Sequence, residues 1–419
     1  MGSILGIGKE ALMFRNWLSW ATFCLLFASS YKYDVDIFAA SEFMKGFQQP
    51  EYILIIKKFA PYALIVLPFF LIAMVAKNGR LSYPFRRGSL ILGLLLIFEC
   101  LRLIPSDLQY AVQLASAGVV VTVFILIGSY VSGSRNPADI PSEICRGVGA
   151  FGILHVALNL SIIATGMGFH HGRFLGTTIQ PNFIGVQMGL LALFLMGTQY
   201  RRWYFNGLRL AALLGALAML LMSGSRTGLI VFVVSSAGTL FLRGIKPIYV
   251  LAATIVFAIA INSYFAFSLD AEGFNQYDRN NVNTRAESWS YLFSLIDTNV
   301  FLGTGRLPNF SENSYLRGWS AVGIIYPLLL GVFIVYTIYN FIRIKLQGSP
   351  VPEHAVLCGA LIGMLFGAIF EGFLFDSFTF SLYAFVLCAL GTEAGISGMW
   401  KSRAIAGMGV RSTGEVVRF

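Results

Sequence analysis

The sequence predicts an all-α polytopic membrane protein with about twelve transmembrane helices and one large hydrophilic loop that contains short helices. Two observations predict this fold class. First, 57% of the 419 residues are hydrophobic and only 12% are charged, and a soluble domain cannot cover its surface with so few charges. Second, apolar runs of about twenty residues, the length of a helix that spans a bilayer, recur along most of the chain.

Each apolar run is taken as one predicted span. The first run is followed by Tyr-Lys-Tyr and not by a small-residue cleavage site, so it is predicted to be a retained span. The predicted spans cover residues 13–31, 59–76, 88–106, 110–132, 148–167, 182–199, 208–223, 228–242, 247–268, 319–341, 355–373 and 376–395.

These spans divide the chain into four parts. Residues 1–268 hold nine predicted spans with short loops, 269–318 form the long hydrophilic loop, 319–395 hold three spans, and 396–419 form a basic tail. With the N-terminus inside, most of the 30 Lys and Arg residues fall on one face, and most of the 20 acidic residues fall on the other face or within the spans. The positive-inside rule therefore places both termini in the cytoplasm and the long loop outside.

The same features exclude several classes of partner. In a membrane protein a net charge of +10 can arise from orientation alone, so it does not predict nucleic-acid binding. None of the five cysteines has C-x-x-C spacing and the chain has only four histidines, so neither a metal nor another cofactor is predicted. No nucleotide-binding motif occurs, so a substrate of the outer face must arrive already activated.

Three polar segments interrupt the apolar pattern on the predicted outer face. Arg226 lies in Met-Ser-Gly-Ser-Arg-Thr-Gly between two apolar runs. An arginine at this place either extends to the membrane surface or binds an anionic ligand, and the small neighbours favour the ligand. Arg173 and His171 precede a span that opens with Gln-Pro-Asn, where Asn182 lies. The histidine pair there is more typical of an interfacial anchor than of a metal site.

The long loop contains the third segment. Thr284 and Glu287 have the spacing of a capping box before an apolar stripe, which predicts a short helix with Arg285 in its first turn. This arginine either binds an anion at the helix start or lies on a solvated face. Further along, Glu312 is either a general base or a cap for the following helix.

Two pairs of charged residues keep a transporter as an alternative. Glu99 and Arg102 are one helical turn apart, which is the spacing of an intramembrane ion pair. Glu371 and Asp376 flank the last outer turn. Either pair is typical of a proton or ion path.

The segments RFLGTTIQPNFIG, LLMSGSRTGLI, R-x-E-x-W, FLGTGR and ENSYLRGWSAVGIIYPLLL follow one another across residues 173–335. In this order the chain resembles the superfamily of O-antigen polymerases and O-antigen ligases. Ligases of that superfamily share a His-Asn-x9-Gly motif whose histidine is catalytic. Here Glu312 replaces the histidine, while Asn313 and Gly323 keep the spacing. This departure favours a polymerase.

The resemblance implies a GT-C-like glycosyltransferase architecture in the bacterial inner membrane, with 269–318 as a periplasmic catalytic loop. It implies undecaprenyl-pyrophosphate-linked oligosaccharide as substrate, the lipid bilayer as surroundings, and a chain-length regulator and a flippase as protein partners. O-antigen ligase and protein O-oligosaccharyltransferase activities stay open as alternatives, as does a flippase or other transporter of lipid-linked oligosaccharide. The residues predicted to be catalytic are Glu312, Arg226 and Arg285, and those predicted to bind substrate are Arg173, Arg306, Asn313, Tyr315, Asn182, His171 and Arg317.

Overall fold

A computed structural model gives the fold of the chain. The structure describes residues 17–31, 47–60, 62–63, 66, 87–103, 139–170, 172–178, 180–198, 200, 203–246, 248–249, 284–308, 313–347, 352–374 and 380–413. The predicted spans at 110–132 and 247–268, and most of the span at 59–76, lie outside these described residues.

The described chain is mostly helical, with one two-stranded hairpin and a further helical segment at 51–60. The helices and strands are α1 (Trp17–Ser30), α2 (Arg87–Leu103), α3 (Asp139–Ala164), β1 (Phe169–His170), β2 (Arg173–Phe174), α4 (Pro181–Gly197), α5 (Trp203–Ser223), α6 (Arg226–Leu242), α7 (Thr284–Thr298), α8 (Ser314–Val322), α9 (Ile325–Gln347), α10 (Pro352–Gly367) and α11 (Phe380–Thr413).

Three of the described helices are long and apolar enough to cross a membrane, namely Ile140–Ala164, Trp203–Ser223 and Ile325–Gln347. Shorter apolar helices coincide with five other predicted spans: Leu18–Ser30, Pro181–Gly197, Arg226–Leu242, Pro352–Gly367 and Phe380–Ile396. These helices support a helical membrane protein. They leave the count of about twelve spans a prediction.

The predicted span at 319–341 is wrong at its start. The structure has a short helix, α8, that ends at Val322, and the long helix α9 begins only at Ile325. Gly323 separates them with φ 91°, a left-handed value that ends an α-helix. The end of α8 and the start of α9 form one continuous apolar stretch in the sequence, so the hydropathy pattern could not show the break between the two helices. The short helix predicted within the long loop is present as α7. It begins at Thr284, the residue that the capping-box spacing predicted as its N-cap.

Glycines bring α6 close to two neighbouring helices. On one side Gly228 of α6 meets the backbone of Gly185 of α4. A Cβ on Gly228 would clash with that backbone, and one on Gly185 would clash with Ser225, directly before α6. On the other side Gly359, Gly363 and Gly367 of α10 form a stripe with four-residue spacing against α6. Small residues at this spacing allow helix backbones to approach closely in a membrane.

The antiparallel helices give the bundle two ends. We call the loop end the one where α3, α5 and α10 finish and α4 and α6 begin. The opposite end, where α4, α6 and α9 finish and α5 begins, we call the basic end. Lys345 near the finish of α9 donates to the carbonyl oxygen of Phe241 in α6 at 2.6 Å, which places the last turns of both helices together at the basic end.

Candidate functional site

The hairpin at the loop end positions Arg173. Gly172 has φ 72° in the tight turn, and His170 pairs with Arg173 across the two strands. From there the guanidinium donates from Nε to the carbonyl oxygen of Ser223 at 2.8 Å and from Nη2 to that of Gly224 at 3.2 Å. Arg173 therefore binds the hairpin to the turn between α5 and α6.

Asn182 joins this arginine to a buried carboxylate. It lies in the first turn of α4, which starts at Pro181, a residue suited to a helix start. Its Oδ1 accepts from Arg173 Nη2 at 3.4 Å, and its Nδ2 donates to Glu371 Oε2 at 2.7 Å. Gln180 Nε2 lies 3.4 Å from the other carboxylate oxygen, Glu371 Oε1. Glu371 itself is only 2% exposed.

The start of α8 is attached to the same loop. The hydroxyl of Ser314 donates to the backbone carbonyl of Glu371 at 2.9 Å and accepts from the N–H groups of Phe373 and Leu374, each at 3.1 Å. The Ser314 N–H also donates to the carbonyl oxygen of Ala368 at 2.9 Å. The loop after α10 thus holds α4 on one side and α8 on the other.

The Asn-x9-Gly spacing corresponds to a capped helix. Asn313 is the N-cap of α8, and its side-chain oxygen accepts from the N–H groups of Tyr315 and Leu316 at 3.0 and 3.1 Å. Gly323 is the C-cap, and the nine residues between them are α8. Asn313 has φ 70°, a left-handed value that asparagine tolerates better than most residues.

The loop before α8 packs against the end of that helix. Thr304 and Gly305 donate backbone hydrogen bonds to the carbonyl oxygens of Ser320 and Ala321 at 2.8 and 2.9 Å. Arg102, near the end of α2, donates to the carbonyl oxygens of Leu302 and Gly303 at 2.6 and 3.1 Å. The sequence predicts Arg102 only as a partner of Glu99, and these acceptors in the loop before α8 were not predicted.

Arg226 is the first residue of α6 and its side chain is exposed. Ser225, the N-cap, accepts from the Gly228 N–H at 3.0 Å and fixes this helix start. The turn that precedes it carries the two carbonyls bound by Arg173. Arg226 therefore lies on the same turn as the Arg173 contacts, at a helix N-terminus, where an anion is favoured.

The three remaining arginines reach the loop end from other elements. Arg285 in the first turn of α7 lies over the ring of Phe370, 5.7 Å from its centroid. Phe370 directly precedes Glu371 in the chain. Arg317 of α8 donates from Nε to the carbonyl oxygen of Pro308 at 3.2 Å. Arg306 is exposed in the loop before α8.

Tyr315 is oriented inward. Its hydroxyl donates to the carbonyl oxygen of Leu365 in α10 at 2.5 Å. Burial raises the pKa of Tyr315, so the hydroxyl stays protonated near neutral pH and keeps this bond. The structure thus gives this predicted substrate ligand a contact within the protein.

A continuous series of contacts joins most of the predicted site residues at the loop end. It runs from Arg173 through Asn182 to the loop after α10, and from there to α8 and, through Phe370, to Arg285. Glu312 and His171 lie outside the described residues. The sequence did not predict these contacts of Glu371, which it suggested only as part of an ion path.

Residues 210–327 match the family model described as O-antigen ligase. The matched range runs from α5 to the beginning of α9, so it contains Arg226, Arg285 and all of α8. The resemblance to the O-antigen polymerase and ligase superfamily is confirmed over these residues. A comparison with curated proteins gave no match.

Proposed function

We propose that this protein polymerises undecaprenyl-pyrophosphate-linked oligosaccharide repeat units into O-antigen, capsular or exopolysaccharide at the periplasmic face of the inner membrane. The family match supports a glycosyltransferase-like enzyme that acts on lipid-linked oligosaccharide in a bilayer. The observation that carries the proposal is the gathering of arginines at the loop end. Arg173 and Arg285 are linked to the loop after α10, and Arg226 lies at the start of α6, beside the turn that Arg173 binds.

The arginines suit a pyrophosphate. Guanidinium groups form paired, charge-assisted hydrogen bonds with phosphate oxygens, and they need no metal to do so. Arg226 and Arg285 would hold the pyrophosphate of the donor and stabilise the charge that develops on it as the glycosidic bond breaks. Arg306, which is exposed in the neighbouring loop, would contact the lipid-linked substrate from the side of α8.

The reaction is a transfer of one glycan to another. A sugar hydroxyl of one repeat unit attacks the anomeric carbon of the glycan on a second lipid, undecaprenyl pyrophosphate leaves, and the configuration at that carbon inverts. Glu312 would accept the proton of the attacking hydroxyl. It directly precedes the N-cap of α8, whose position is fixed by the Ser314 contacts.

Glu312 also favours a polymerase over a ligase, because it replaces the histidine of the ligase motif. O-antigen ligase is the second candidate, since that activity describes the matching family model. A protein O-oligosaccharyltransferase of the same superfamily would use the same donor. All these activities place the pyrophosphate in the same arginine site and differ in the acceptor.

Deletion of the gene in the native host tests the proposal. Surface polysaccharide and lipid-linked glycan are analysed together in the deletion strain and in a complemented strain. Single repeat units that reach the surface without a ladder of longer chains would support a polymerase. Long polymer retained on undecaprenyl pyrophosphate would instead indicate a ligase, and single repeats trapped on the cytoplasmic side would indicate a flippase.

A further inference from the structure

Glu371 is a buried carboxylate with a defined set of partners at the loop end. It is 2% exposed, it lies in the loop after α10, and it accepts hydrogen bonds from the side-chain amides of Asn182 and Gln180. Burial of an ionised carboxylate is costly unless hydrogen bonds compensate for the lost water. A carboxylate kept at such a place calls for an explanation beyond packing.

The donor and acceptor roles of the contacting groups give such an explanation. A carboxylate only accepts hydrogen bonds and a guanidinium only donates them, whereas an amide has one side of each kind. Asn182 lies between Glu371 and Arg173, with Nδ2 on the carboxylate at 2.7 Å and Oδ1 on Arg173 Nη2 at 3.4 Å. The Glu371 carboxylate therefore decides which way the Asn182 amide faces, and with it whether the amide oxygen accepts from Arg173 beside the two backbone acceptors of that guanidinium.

The backbone of Glu371 fixes the other side of the site. Its carbonyl oxygen accepts from the Ser314 hydroxyl at 2.9 Å, at the first residue of α8. Phe370, the residue before it, carries Arg285 over its ring. One short loop thus contacts the elements that hold Arg173, Arg285 and the start of α8.

We propose that Glu371 is a positioning residue of the transfer site: its carboxylate orients Asn182 toward Arg173, and its backbone holds α8 in register with them. This inference rests on the proposed function, because it assigns Glu371 a part in the same site. Glu371 contacts the substrate at no step. It sets the spacing between the arginines and α8.

Glu371→Gln is the informative substitution, since it keeps the shape and removes the charge. A glutamine presents an NH2 group to one of the two amide donors, so Asn182 or Gln180 loses its acceptor. Glu393→Gln is a matched control. Glu393 is also a buried carboxylate, 6% exposed, which accepts from the backbone N–H and hydroxyl of Ser89 in the first turn of α2, away from the loop end.

The variants are purified and placed in nanodiscs of host lipid, with lipid-linked repeat units extracted from the deletion strain as substrate. We expect Glu371→Gln to lower kcat about 10- to 100-fold with KM changed less than about twofold, because misplaced groups lower the rate while substrate contacts remain. Glu393→Gln should keep the wild-type values. A Glu371→Gln protein with wild-type kcat, or one in which only KM rises, would overturn the proposal.

A double variant tests the route through Asn182. If Glu371 acts through that amide, Asn182→Ala lowers kcat and the addition of Glu371→Gln lowers it little further. Losses that multiply in the double variant would show that the two residues act independently, and the orienting role would then be wrong.

Hydrogen exchange provides a measurement that needs no turnover. Peptides covering 180–186 and 313–318 should exchange at least about tenfold faster in Glu371→Gln than in the wild type, and should be unchanged in Glu393→Gln. Equal exchange in wild type and Glu371→Gln would overturn the proposal. If the wild-type protein makes no polymer, the proposed function fails, while the exchange experiment still decides the role of Glu371.

Discussion

The two ends of the bundle use basic side chains in different ways. At the basic end Arg209 donates to the carbonyl oxygens of Leu195 and Thr198, and Lys345 donates to that of Phe241. These carbonyls belong to the finishing turns of α4 and α6 or directly follow them, where the helix dipole favours a cation. At the basic end, the described contacts of these two side chains are thus accounted for by helix stability.

At the loop end, one arginine binds the carbonyls at a helix end, as the basic-end residues do, and a neighbouring arginine does not. Arg173 binds the carbonyls that finish α5, as the basic-end residues do for their helices. Arg226 stands at the first turn of α6, where the dipole disfavours a cation. Helix stability accounts for Arg173 and does not account for Arg226. The difference separates a residue that holds the site together from one whose placement suits an anionic ligand.

The largest effect expected from this difference is on Arg226. Arg226→Ala should lower polymer formation about 100-fold or more, which is the usual loss when one donor to a developing negative charge is removed. The protein should remain in the membrane at its normal level. Polymer ladders on gels and immunoblots of membrane fractions measure the two quantities.

Arg243→Ala is the matched control for that substitution. Arg243 is also exposed and caps the other end of the same helix, α6. We expect it to keep activity. A fully active Arg226→Ala strain, or an equal loss in both variants, would remove the distinction between the two ends.

The second effect concerns the helix break that places α8. Gly323→Ala should destabilise the protein by about 2 kcal/mol or more, because a Cβ is strained at φ 91° and would clash with the carbonyl of Phe301. Thermal unfolding in detergent, followed by size-exclusion chromatography, measures the loss. Activity should fall with it, since the start of α9 and the end of α8 are displaced.

Gly331→Ala is the control in the neighbouring helix. A Cβ at Gly331, within α9, meets nothing within 4 Å, so the substitution should leave the unfolding temperature unchanged or raise it slightly. If Gly323→Ala is as stable as Gly331→Ala, the interpretation of the Asn-x9-Gly spacing as helix caps is wrong.

The sequence predicted what depends on local pattern and missed what depends on contacts across loops. The apolar runs located α3, α5 and α9 because a spanning helix requires a continuous apolar stretch. The polar segments predicted Arg173 and Arg226 as site residues, because an arginine on the predicted outer face runs against the usual charge bias. Helix α8 was merged with α9, since both are apolar and a glycine alone marks the boundary.

The contacts of Glu371 could not be predicted from the sequence. Its amide partner Asn182 is 189 residues earlier in the chain, and its backbone partner Ser314 is 57 residues earlier. No spacing rule connects positions so far apart, because the folded loops alone bring them together. The same holds for Arg102, whose acceptors at 302 and 303 follow it by 200 residues or more.

A third substitution tests the comparison from the basic end. Lys345→Met should lower the free energy of unfolding by about 1.5 kcal/mol, because the bond to the Phe241 carbonyl and the contact with its ring, 4.3 Å from the centroid, are lost. Activity per folded protein should be unchanged. A loss of activity larger than the loss of folded protein would mean that the basic end also contributes to the reaction.

The smallest expected effect is that of Tyr315→Phe, and it decides between two roles of one residue. The sequence predicted Tyr315 as a substrate ligand, whereas the structure gives its hydroxyl a contact with Leu365. If that bond is the whole role, the substitution costs about 1 kcal/mol of stability and leaves activity per folded protein within about twofold. Tyr339→Phe, at an exposed position of α9, is the control and should change neither quantity. A loss of activity above about tenfold in Tyr315→Phe alone would show that Tyr315 contacts the substrate. The α8 side of the loop end would then bind the ligand together with Arg226.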